Sequence, residues 1–150
     1  GELWIATHML ASEYISGAPE NTRFVERDGT RWYRTGDTAE LRDGNLLVTG
    51  RADRVLISGG VKVSLEAIES VAATVVDGLV VAVAVSDEMW GSRPVLVVEG
   101  TGNEDLESAI RAVVLETSGR VAVPDRIVWT ASLPMGLTGK PDYAAIARLA

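Results

Sequence analysis

The stretch Tyr33-Arg34-Thr35-Gly36-Asp37 is followed, after a short turn, by Gly50-Arg51-Ala52-Asp53-Arg54-Val55-Leu56-Ile57-Ser58-Gly59-Gly60. These residues bring an acid, a basic residue, a second acid and a Gly-Gly pair close together in the sequence, with apolar, strand-like runs between them. Core packing does not require such an arrangement. A site that binds a polyhydroxylated, phosphorylated ligand does require it, so this stretch connects the fold of the chain to its function.

The composition is that of a globular chain with one sizeable core or two small ones. The chain has 150 residues, of which 47% are hydrophobic and 23% charged, and its formal net charge is -7. An acidic surface repels nucleic acid and anionic lipid, so we expect neither nucleic acid nor a membrane as a partner. No apolar run reaches membrane-spanning length, and we find no signal peptide.

Two residue types limit the chemistry that the chain can perform. The chain has no cysteine, which excludes disulfides and thiolate catalysis and fits a reducing, cytoplasmic location. His8 is the only histidine, so a histidine-based zinc site or triad is excluded as well, and we expect no metal ligands. The chain lacks an initiator Met and starts in strand-like alternation at Gly1-Glu2-Leu3-Trp4-Ile5, which we interpret as a piece of a longer polypeptide.

Residues 1–50 are predicted to be rich in β-strands. Short strand candidates lie at residues 3–5, 23–26, 31–33 and 45–48. Asp28-Gly29 and Asp43-Gly44 lie between them as turn signals, and the second pair strongly indicates a hairpin. Short strands with tight turns predict a piece of a small barrel or a sandwich.

After residue 51 the pattern changes to strands that alternate with helices. Strands are predicted at residues 54–58, 79–85, 94–98 and 127–129, the second of them buried on both faces. Ser64 and Asn103 are predicted to cap helices that run to about Val75 and Thr117, and a last short helix spans residues 143–149. The prediction is therefore an α+β chain, with a β-rich part over 1–50, a linker over 51–53 and a compact α/β domain over 54–150.

Three polar residues of the opening stretch are candidates for ligand binding or motion. Asp37 follows a Thr-Gly turn, and its carboxylate can accept two hydrogen bonds from a vicinal diol such as ribose, or can satisfy its own turn. Arg51 can bind a phosphate with its planar fork, or can form a surface ion pair with Asp37 or Asp53. Asp53 lies where the composition changes and is either a hinge that absorbs backbone rotation or a plain linker residue.

Two further segments of the second half are candidates for ligand contact. The pair Gly59-Gly60 allows positive φ and leaves backbone groups accessible to a ligand, although a tight hairpin turn is its commoner use. Trp90 follows the buried strand and either lines a ligand channel or covers the edge of the core.

A lysine near the end of the chain lies in a rigid turn rather than on a helix face. The turn is Gly139-Lys140-Pro141, within Leu133-Pro134-Met135-Gly136-Leu137-Thr138-Gly139-Lys140. A lysine on such a loop can bring its charge to a carboxylate and a phosphate together, or can be an exposed turn residue. The glycine spacing of a phosphate-binding P-loop is absent upstream of Lys140.

Taken in order, these segments resemble the C-terminal third of the adenylate-forming superfamily, which includes acyl- and aryl-CoA synthetases, firefly luciferase and the adenylation domains of peptide synthetases. Tyr33-Arg34-Thr35-Gly36-Asp37 matches the superfamily's Tyr-Arg-Thr-Gly-Asp motif. Gly50-Arg51-Ala52-Asp53 and Ile57-Ser58-Gly59-Gly60-Val61-Lys62-Val63 match its hinge motif. Leu133-Pro134 to Gly139-Lys140 matches the motif of its C-terminal lysine. The resemblance covers nearly the whole chain.

The resemblance implies roles in a reaction with two half-reactions, from carboxylate and ATP to an acyl-adenylate and then to a CoA thioester. Asp37 would bind the ribose hydroxyls of ATP or AMP, and Arg51 would contact the same nucleotide. Asp53 would be the hinge about which a C-terminal lid domain turns between the half-reactions. Lys140 would bridge the carboxylate and the α-phosphate during adenylation.

The resemblance also implies a CoA site in the lid domain. Gly59 and Gly60 would line the tunnel for the pantetheine arm, and Trp90 would be placed like the tunnel tryptophan of some aryl-CoA ligases. The Ser-Gly-Gly sequence resembles CoA ligases more than peptide-synthetase domains. The segment Val61-Lys62-Val63-Ser64-Leu65 resembles the o-succinylbenzoate–CoA ligases of menaquinone biosynthesis most, although Lys62 stands where many relatives have Asn or Arg.

Other parts of the superfamily pattern are absent from this sequence. The Gly/Ser/Thr-rich phosphate loop, the glutamate that holds Mg²⁺ and the residues of the acyl pocket have no counterparts here. We therefore expect this chain to be inactive alone and to work with the missing N-terminal domain of the same enzyme on a small carboxylic acid. The alternatives are a stand-alone module that binds nucleotide, CoA or another protein, and a piece of another member such as a fatty-acyl-CoA ligase.

Overall fold

The computed structural model describes residues 1–15 and 22–150 and divides the chain into two compact units, Gly1–Asp53 and Arg54–Ala150. Both units contain β-sheets, and helices longer than one turn occur in the second, so the predicted α+β class is confirmed. A short 3₁₀ helix, Ala52–Arg54, lies where the chain passes from one unit to the next. Among the described residues, no helix is long and apolar enough to cross a membrane.

The first unit is an antiparallel sheet arranged around one long strand. Its strands are β1 (Glu2–Ile5), β2 (Phe24–Arg27), β3 (Thr30–Arg42) and β4 (Asn45–Arg51), and β3 pairs with each of the others. The β2–β3 and β3–β4 turns have positive φ at both Asp28-Gly29 and Asp43-Gly44, which two-residue hairpin turns of the tight type require. In the described residues the pairings give an open sheet and do not close it into the barrel considered above.

The first unit buries very little of its own apolar surface. Ala39 is its one buried residue in the part of the chain that the structure describes. The β3–β4 hairpin instead leaves four large apolar side chains exposed, with relative exposures from 45% to 75%: Leu41, Leu46, Leu47 and Val48. A four-stranded sheet without a covered apolar face is a marginal structure in water.

The second unit is a five-stranded sheet with helices on both faces. In chain order its elements are β5 (Val55–Ser58), β6 (Val61–Ser64), α1 (Leu65–Ala72), β7 (Val80–Asp87), β8 (Gly91–Glu99), α2 (Glu104–Ser118), β9 (Ile127–Thr130) and α3 (Tyr143–Ala147), with a 3₁₀ helix at Arg120–Ala122. The sheet order is β6-β5-β8-β7, and β9 adds parallel to β8.

Strand β8 and the first half of its edge neighbour β7 are buried on both faces, as the continuous apolar run predicts. Ala82, Leu96 and Val98 pack into the cluster under α1 and α2, with Ile68 and Ile110. The alternate residues of β7 and β8 face the other side, where they pack with two residues from the C-terminal segment: Val81, Val83, Val95 and Val97 with Leu133 and Ile146. The sequence therefore builds a three-layer domain from strands that are apolar at nearly every position.

Both predicted helix caps are present, but the first helix is shorter than expected. The side chain of Ser64 accepts from the Ala67 N–H at 3.2 Å, and that of Asn103 accepts from the Leu106 N–H at 2.9 Å. Helix α1 ends at Ala72 instead of about Val75. The Thr74 hydroxyl donates to the Val71 carbonyl at 2.7 Å, so a side chain takes up an acceptor at the helix end.

Candidate functional site

Asp37 and Arg51 face each other across the first unit's sheet. They are register partners in β3 and β4, and the Arg51 Nη1 atom donates to Asp37 Oδ1 at 3.2 Å. About one third of each side chain is exposed. Asp37 Oδ1 accepts this hydrogen bond. The structure thus contains the Arg51–Asp37 ion pair that the sequence gave as the alternative to phosphate binding by Arg51.

Arg51 also holds the residue that the sequence predicts as a hinge. Its Nε and Nη2 atoms donate to the two carboxylate oxygens of Asp53, each at 2.8 Å. These hydrogen bonds hold the pKa of the Asp53 carboxyl below its ordinary value, and the partial burial of Asp53 opposes the shift. The predicted residues Asp37, Arg51 and Asp53 therefore form one chain of contacts within the first unit.

A second arginine, which the sequence reasoning missed, lies beside this group. Arg23 Nη1 donates to the Thr35 carbonyl at 2.9 Å. A Cβ atom on Gly36 would lie 3.0 Å from Arg23 Nη1 and 3.2 Å from Arg51 Nη2, so the glycine makes room for two guanidinium groups. Arg23, Gly36 and Asp53 line a shallow cleft together with Glu2 and Arg34. The cleft is lined by two arginines and two carboxylates, and Gly36 joins it to the neighbouring, half-buried Asp37.

In the second unit, the Gly59-Gly60 turn and Trp90 are brought together. Both glycines have positive φ, 55° and 82°, and they join β5 to β6 as a tight hairpin turn. The Gly59 N–H donates to the Trp90 carbonyl at 2.9 Å. A Cβ atom on Gly59 would lie 2.7 Å from Cε3 of the Trp90 ring, whereas one on Gly60 would meet nothing within 4 Å. Gly59 is therefore required by the ring as well as by the turn.

Trp90 is held in place and lines a cleft of the second unit. The Asp87 carboxylate accepts the N–H groups of Met89 and Trp90, at 2.9 and 2.8 Å, and so fixes the turn that carries the ring. The cleft is about 700 Å³ in volume. Its lining combines the indole with apolar side chains and two arginines: Ser58, Trp90, Arg93, Leu115, Arg120, Val121 and Val123. Arg93 forms an ion pair with Asp125.

Lys140 is exposed at the tip of a braced loop. Pro141 bridges to Met135, and the Gly136 N–H donates to the Lys140 carbonyl at 2.8 Å. The Asp142 N–H donates to Pro134 at 2.9 Å, so both ends of the loop are tied together. In residues 1–15 and 22–150, no acidic group lies within ion-pair distance of the Lys140 ammonium. The loop therefore presents a positive charge without an acidic partner among the described residues, on a backbone held by hydrogen bonds. It belongs to the second unit, whereas the Asp37 group belongs to the first.

Comparison with known proteins identifies the class to which this fold and these residues belong. Residues 67–140 match the family described as AMP-binding enzyme C-terminal domain, a range that ends at Lys140. The chain is 32% identical over 156 residues to the medium/long-chain-fatty-acid–CoA ligase FadD8 of Mycobacterium tuberculosis, covering 97% of this chain and 27% of that protein. It is 35% identical over 153 residues to the phenyloxazoline synthase MbtB of Mycolicibacterium paratuberculosis, covering 99% of this chain and 13% of that protein.

Solved structures give the same result for the fold. The amide bond synthetase McbA from Marinactinospora thermotolerans matches 99% of this chain with 30% of its own, at a TM-score of 0.78 and 28% identity. The o-succinylbenzoate–CoA synthetase MenE from Bacillus subtilis matches 97% of this chain with 30% of its own, at a TM-score of 0.78. Its identity is 22%, so this likeness concerns the fold alone.

The chain therefore carries a C-terminal domain of the AMP-binding, adenylate-forming enzymes. Its curated relatives include fatty-acid–CoA ligases and MbtB. The chain spans about a quarter of the length of the ligases that it matches.

Proposed function

We propose that the chain is the C-terminal part of an AMP-forming acid–CoA ligase. The parent enzyme would join a carboxylate to AMP from ATP and then transfer the acyl group to CoA. The observation that supports this proposal best is the match of nearly the whole chain to named CoA ligases, in a sequence that also places Lys140 at the tip of a braced loop. Mg²⁺ would be bound by residues outside this chain.

The described residues fit both nucleotide substrates. For ATP, the Asp37 carboxylate, which Arg51 contacts at Oδ1, is a candidate acceptor for the ribose hydroxyls, and the guanidinium groups of Arg23 and Arg51 lie beside Gly36. For CoA, the cleft beside Gly59 and Trp90 offers an aromatic wall, apolar walls and arginines at one site. When bound, ATP supplies the AMP group that activates the carboxylate, and CoA supplies the thiol that accepts the acyl group.

A fatty acid is the acid substrate that the relatives favour. FadD8 and FadD13 of Mycobacterium tuberculosis, both named fatty-acid–CoA ligases, are 32% and 34% identical to this chain over 97% and 93% of its length. For o-succinylbenzoate, which the segment Val61-Lys62-Val63-Ser64-Leu65 suggested, the support is a likeness of fold to MenE at 22% identity. We therefore place fatty acids first in a substrate screen and retain o-succinylbenzoate as a second acid to test.

A second candidate function shares the adenylation step but not the acceptor. McbA is named an amide bond synthetase, and MbtB a phenyloxazoline synthase. These likenesses favour testing an amine acceptor beside CoA. Supplying the full-length polypeptide with ATP, a fatty acid and either CoA or an amine distinguishes the two, because only one acceptor should discharge the acyl-adenylate.

The exposed β3–β4 hairpin supports a partner for the first unit. Its apolar side chains at Leu41, Leu46, Leu47 and Val48 have no cover among the described residues, and Ala39 alone is buried in this unit. We propose that the N-terminal domain of the same polypeptide covers this surface, because the matching ligases are about four times as long as this chain. A stand-alone module of 16.0 kDa, detected as the native species by intact-mass measurement, would contradict this proposal.

The role of Lys140 provides the functional test. In the full-length polypeptide, Lys140→Ala should slow adenylation, measured as exchange of pyrophosphate into ATP, by about 100-fold or more, the usual loss when one electrostatic stabiliser is removed. Thioester formation from supplied acyl-adenylate should stay within about threefold of wild type, since the lysine acts on the α-phosphate of the first step.

The matched control is Lys62→Ala, which removes the chain's one other lysine, also exposed. It should leave pyrophosphate exchange unchanged. Equal losses of both half-reactions in Lys140→Ala, or equal effects of the two lysine variants, would contradict the proposed role.

A further inference from the structure

Arg54 is buried although it is the first residue of the second unit. Its relative exposure is 7%, and it directly follows the exposed Asp53. Arginine is almost never fully buried unless it is paired, so the position calls for a physical reason. No sequence pattern predicts this burial, because Arg54 lies at the start of an apolar strand, where a charged residue is ordinarily exposed.

The Arg54 side chain contacts three separate elements of the second unit. Its guanidinium forms an ion pair with Glu69 of α1. Its Nη1 atom donates to the Ala82 carbonyl of β7 at 3.0 Å. The guanidinium carbon also lies 4.3 Å from the centroid of the Tyr143 ring of α3, a distance at which a cation is attracted to the ring face.

Together Arg54 and Glu69 cover the free edge of the sheet at Ala82. Strand β7 is an edge strand, and Glu69 Oε1 accepts the Ala82 N–H at 2.8 Å. The opposite residue, Leu96, donates its N–H to the Arg126 backbone carbonyl, so the hydrogen-bonding groups of Ala82 point away from β8. The ion pair thus satisfies both backbone groups of Ala82 in the way that a further strand would.

On the other side of the unit boundary, Asp53 is fixed in a similar way. Two hydrogen bonds from Arg51 hold its carboxylate, and Arg51 is itself held by Asp37 across the β3–β4 pairing. Each residue that flanks the boundary is therefore bound to its own unit. Because the peptide bond between them is planar, the free rotations between these fixed points are ψ of Asp53 and φ of Arg54.

We propose that Arg54 is a positioning residue that fixes the start of the lid domain to its own core through Glu69, Ala82 and Tyr143, and so confines the domain rotation to the Asp53–Arg54 link. This inference rests on the proposed two-step ligase function. Loosening Arg54 would allow the first strand of the lid to move with the linker. The lid, which carries Gly59, Trp90 and Lys140, would then reach each catalytic pose less accurately.

The test measures the spread of domain positions directly. Spin labels are introduced into the full-length polypeptide as unnatural amino acids at Glu26, exposed on β2, and Glu116, exposed on α2. Pulsed electron paramagnetic resonance then gives the distance distribution. In Arg54→Ala we expect it to broaden by about twofold or more, because more torsions take part in the hinge. A label pair at Glu88 and Glu116, both within the second unit, should keep its wild-type distribution.

The same variants are assayed for both half-reactions. Arg54→Ala should lower kcat of each by about 10-fold to 100-fold, the loss expected when reacting groups are misplaced by up to about 1 Å, with little change in KM for ATP. Arg54→Lys keeps the charge but not the planar fork, so it should recover part of the rate and part of the narrow distribution. It also keeps the test possible where the alanine variant does not fold.

Arg148→Ala is the matched control, since it removes an exposed arginine from the same unit. It should change neither the distances nor the rates. An unchanged Glu26–Glu116 distribution in folded Arg54→Ala, or in Arg54→Lys where the alanine variant does not fold, would overturn the positioning role, whatever happens to stability. Absence of adenylation by wild type would instead refute the proposed function, and the distance measurement would still decide the role of Arg54.

Discussion

Gly59 is constrained by its positive φ and by its contact with the Trp90 ring, and replacing it by alanine should reveal the cost of both. Its φ of 55° lies in the left-handed region, where a residue with a Cβ atom costs about 1–2 kcal/mol. The new Cβ would also lie 2.7 and 2.9 Å from Cε3 and Cζ3 of Trp90. Overpacking of this kind costs about 1–3 kcal/mol. We therefore expect Gly59→Ala to destabilise the second unit by about 2–5 kcal/mol, the sum of the two costs.

The neighbouring Gly60 provides a control, because it has a positive φ but no contact with the Trp90 ring. Gly60 has φ of 82°, and an added Cβ there would meet nothing within 4 Å. Gly60→Ala should therefore cost about 1–2 kcal/mol for the backbone alone. The difference between the two variants measures the contact between Gly59 and the Trp90 ring.

The assay is urea denaturation followed by circular dichroism, with a double-mutant cycle between Gly59→Ala and Trp90→Ala. In the Trp90→Ala background, Gly59→Ala should cost no more than Gly60→Ala, because the ring that the new Cβ meets is gone. Thioester formation should fall further in Gly59→Ala than in Gly60→Ala, since displacement of the indole changes a wall of the proposed CoA cleft. Equal costs at the two glycines, or no coupling to Trp90, would refute the reasoning.

Two further predictions concern single carboxylates. Burial raises the pKa of Glu69 above its ordinary value of 4.5, so its contribution to stability is fully present below that value and is lost as the pH rises through the raised pKa. Between about pH 4 and about pH 7, the urea midpoint of wild type should therefore decrease relative to that of Glu69→Gln. Glu116→Gln, at an exposed position, should show the same change in midpoint as wild type. Asp37→Asn should raise KM for ATP by about 10-fold to 100-fold, the cost of losing a charged hydrogen bond to ribose, while Asp43→Asn in the exposed turn should not; equal KM values for the two variants would contradict the role of Asp37.

The elements that the sequence predicts well are those in which one local signal decides the structure. Asp28-Gly29 and Asp43-Gly44 adopt the positive φ values that their turns require, and Ser64 and Asn103 cap helices at the predicted positions. Strand β7 starts within the continuous apolar run at residues 79–85 and extends two residues beyond it, to Asp87. The predicted end of α1 was wrong by about one turn. The Thr74 hydroxyl donates to the Val71 carbonyl, and the spacing of apolar residues carries no information about this hydrogen bond.

The sequence predicted those residues of the candidate site that lie in recognisable motifs, and it missed the one that does not. The sequence identified Asp37, Arg51 and Asp53 but left ligand binding and ion pairing as alternatives, and the structure shows one arginine bonded to both acids. Arg23 could not be identified, since its place beside Gly36 depends on how β2 and β3 pair. Arg23 directly precedes Phe24 at the start of a strand, and no periodic signal marks it as a site residue.

The choice of arginine at position 54 follows from the sheet edge rather than from general stability. A buried ion pair can often be replaced by apolar side chains without loss, because desolvation offsets much of the attraction between the charges. Here such a replacement would remove the partners of the Ala82 N–H and carbonyl, which would then be buried without hydrogen bonds at a cost of about 1–3 kcal/mol for each group. Arg54 and Glu69 therefore cannot be exchanged for apolar residues even together, and the residue that follows the predicted hinge is fixed by the backbone of the edge strand that it completes.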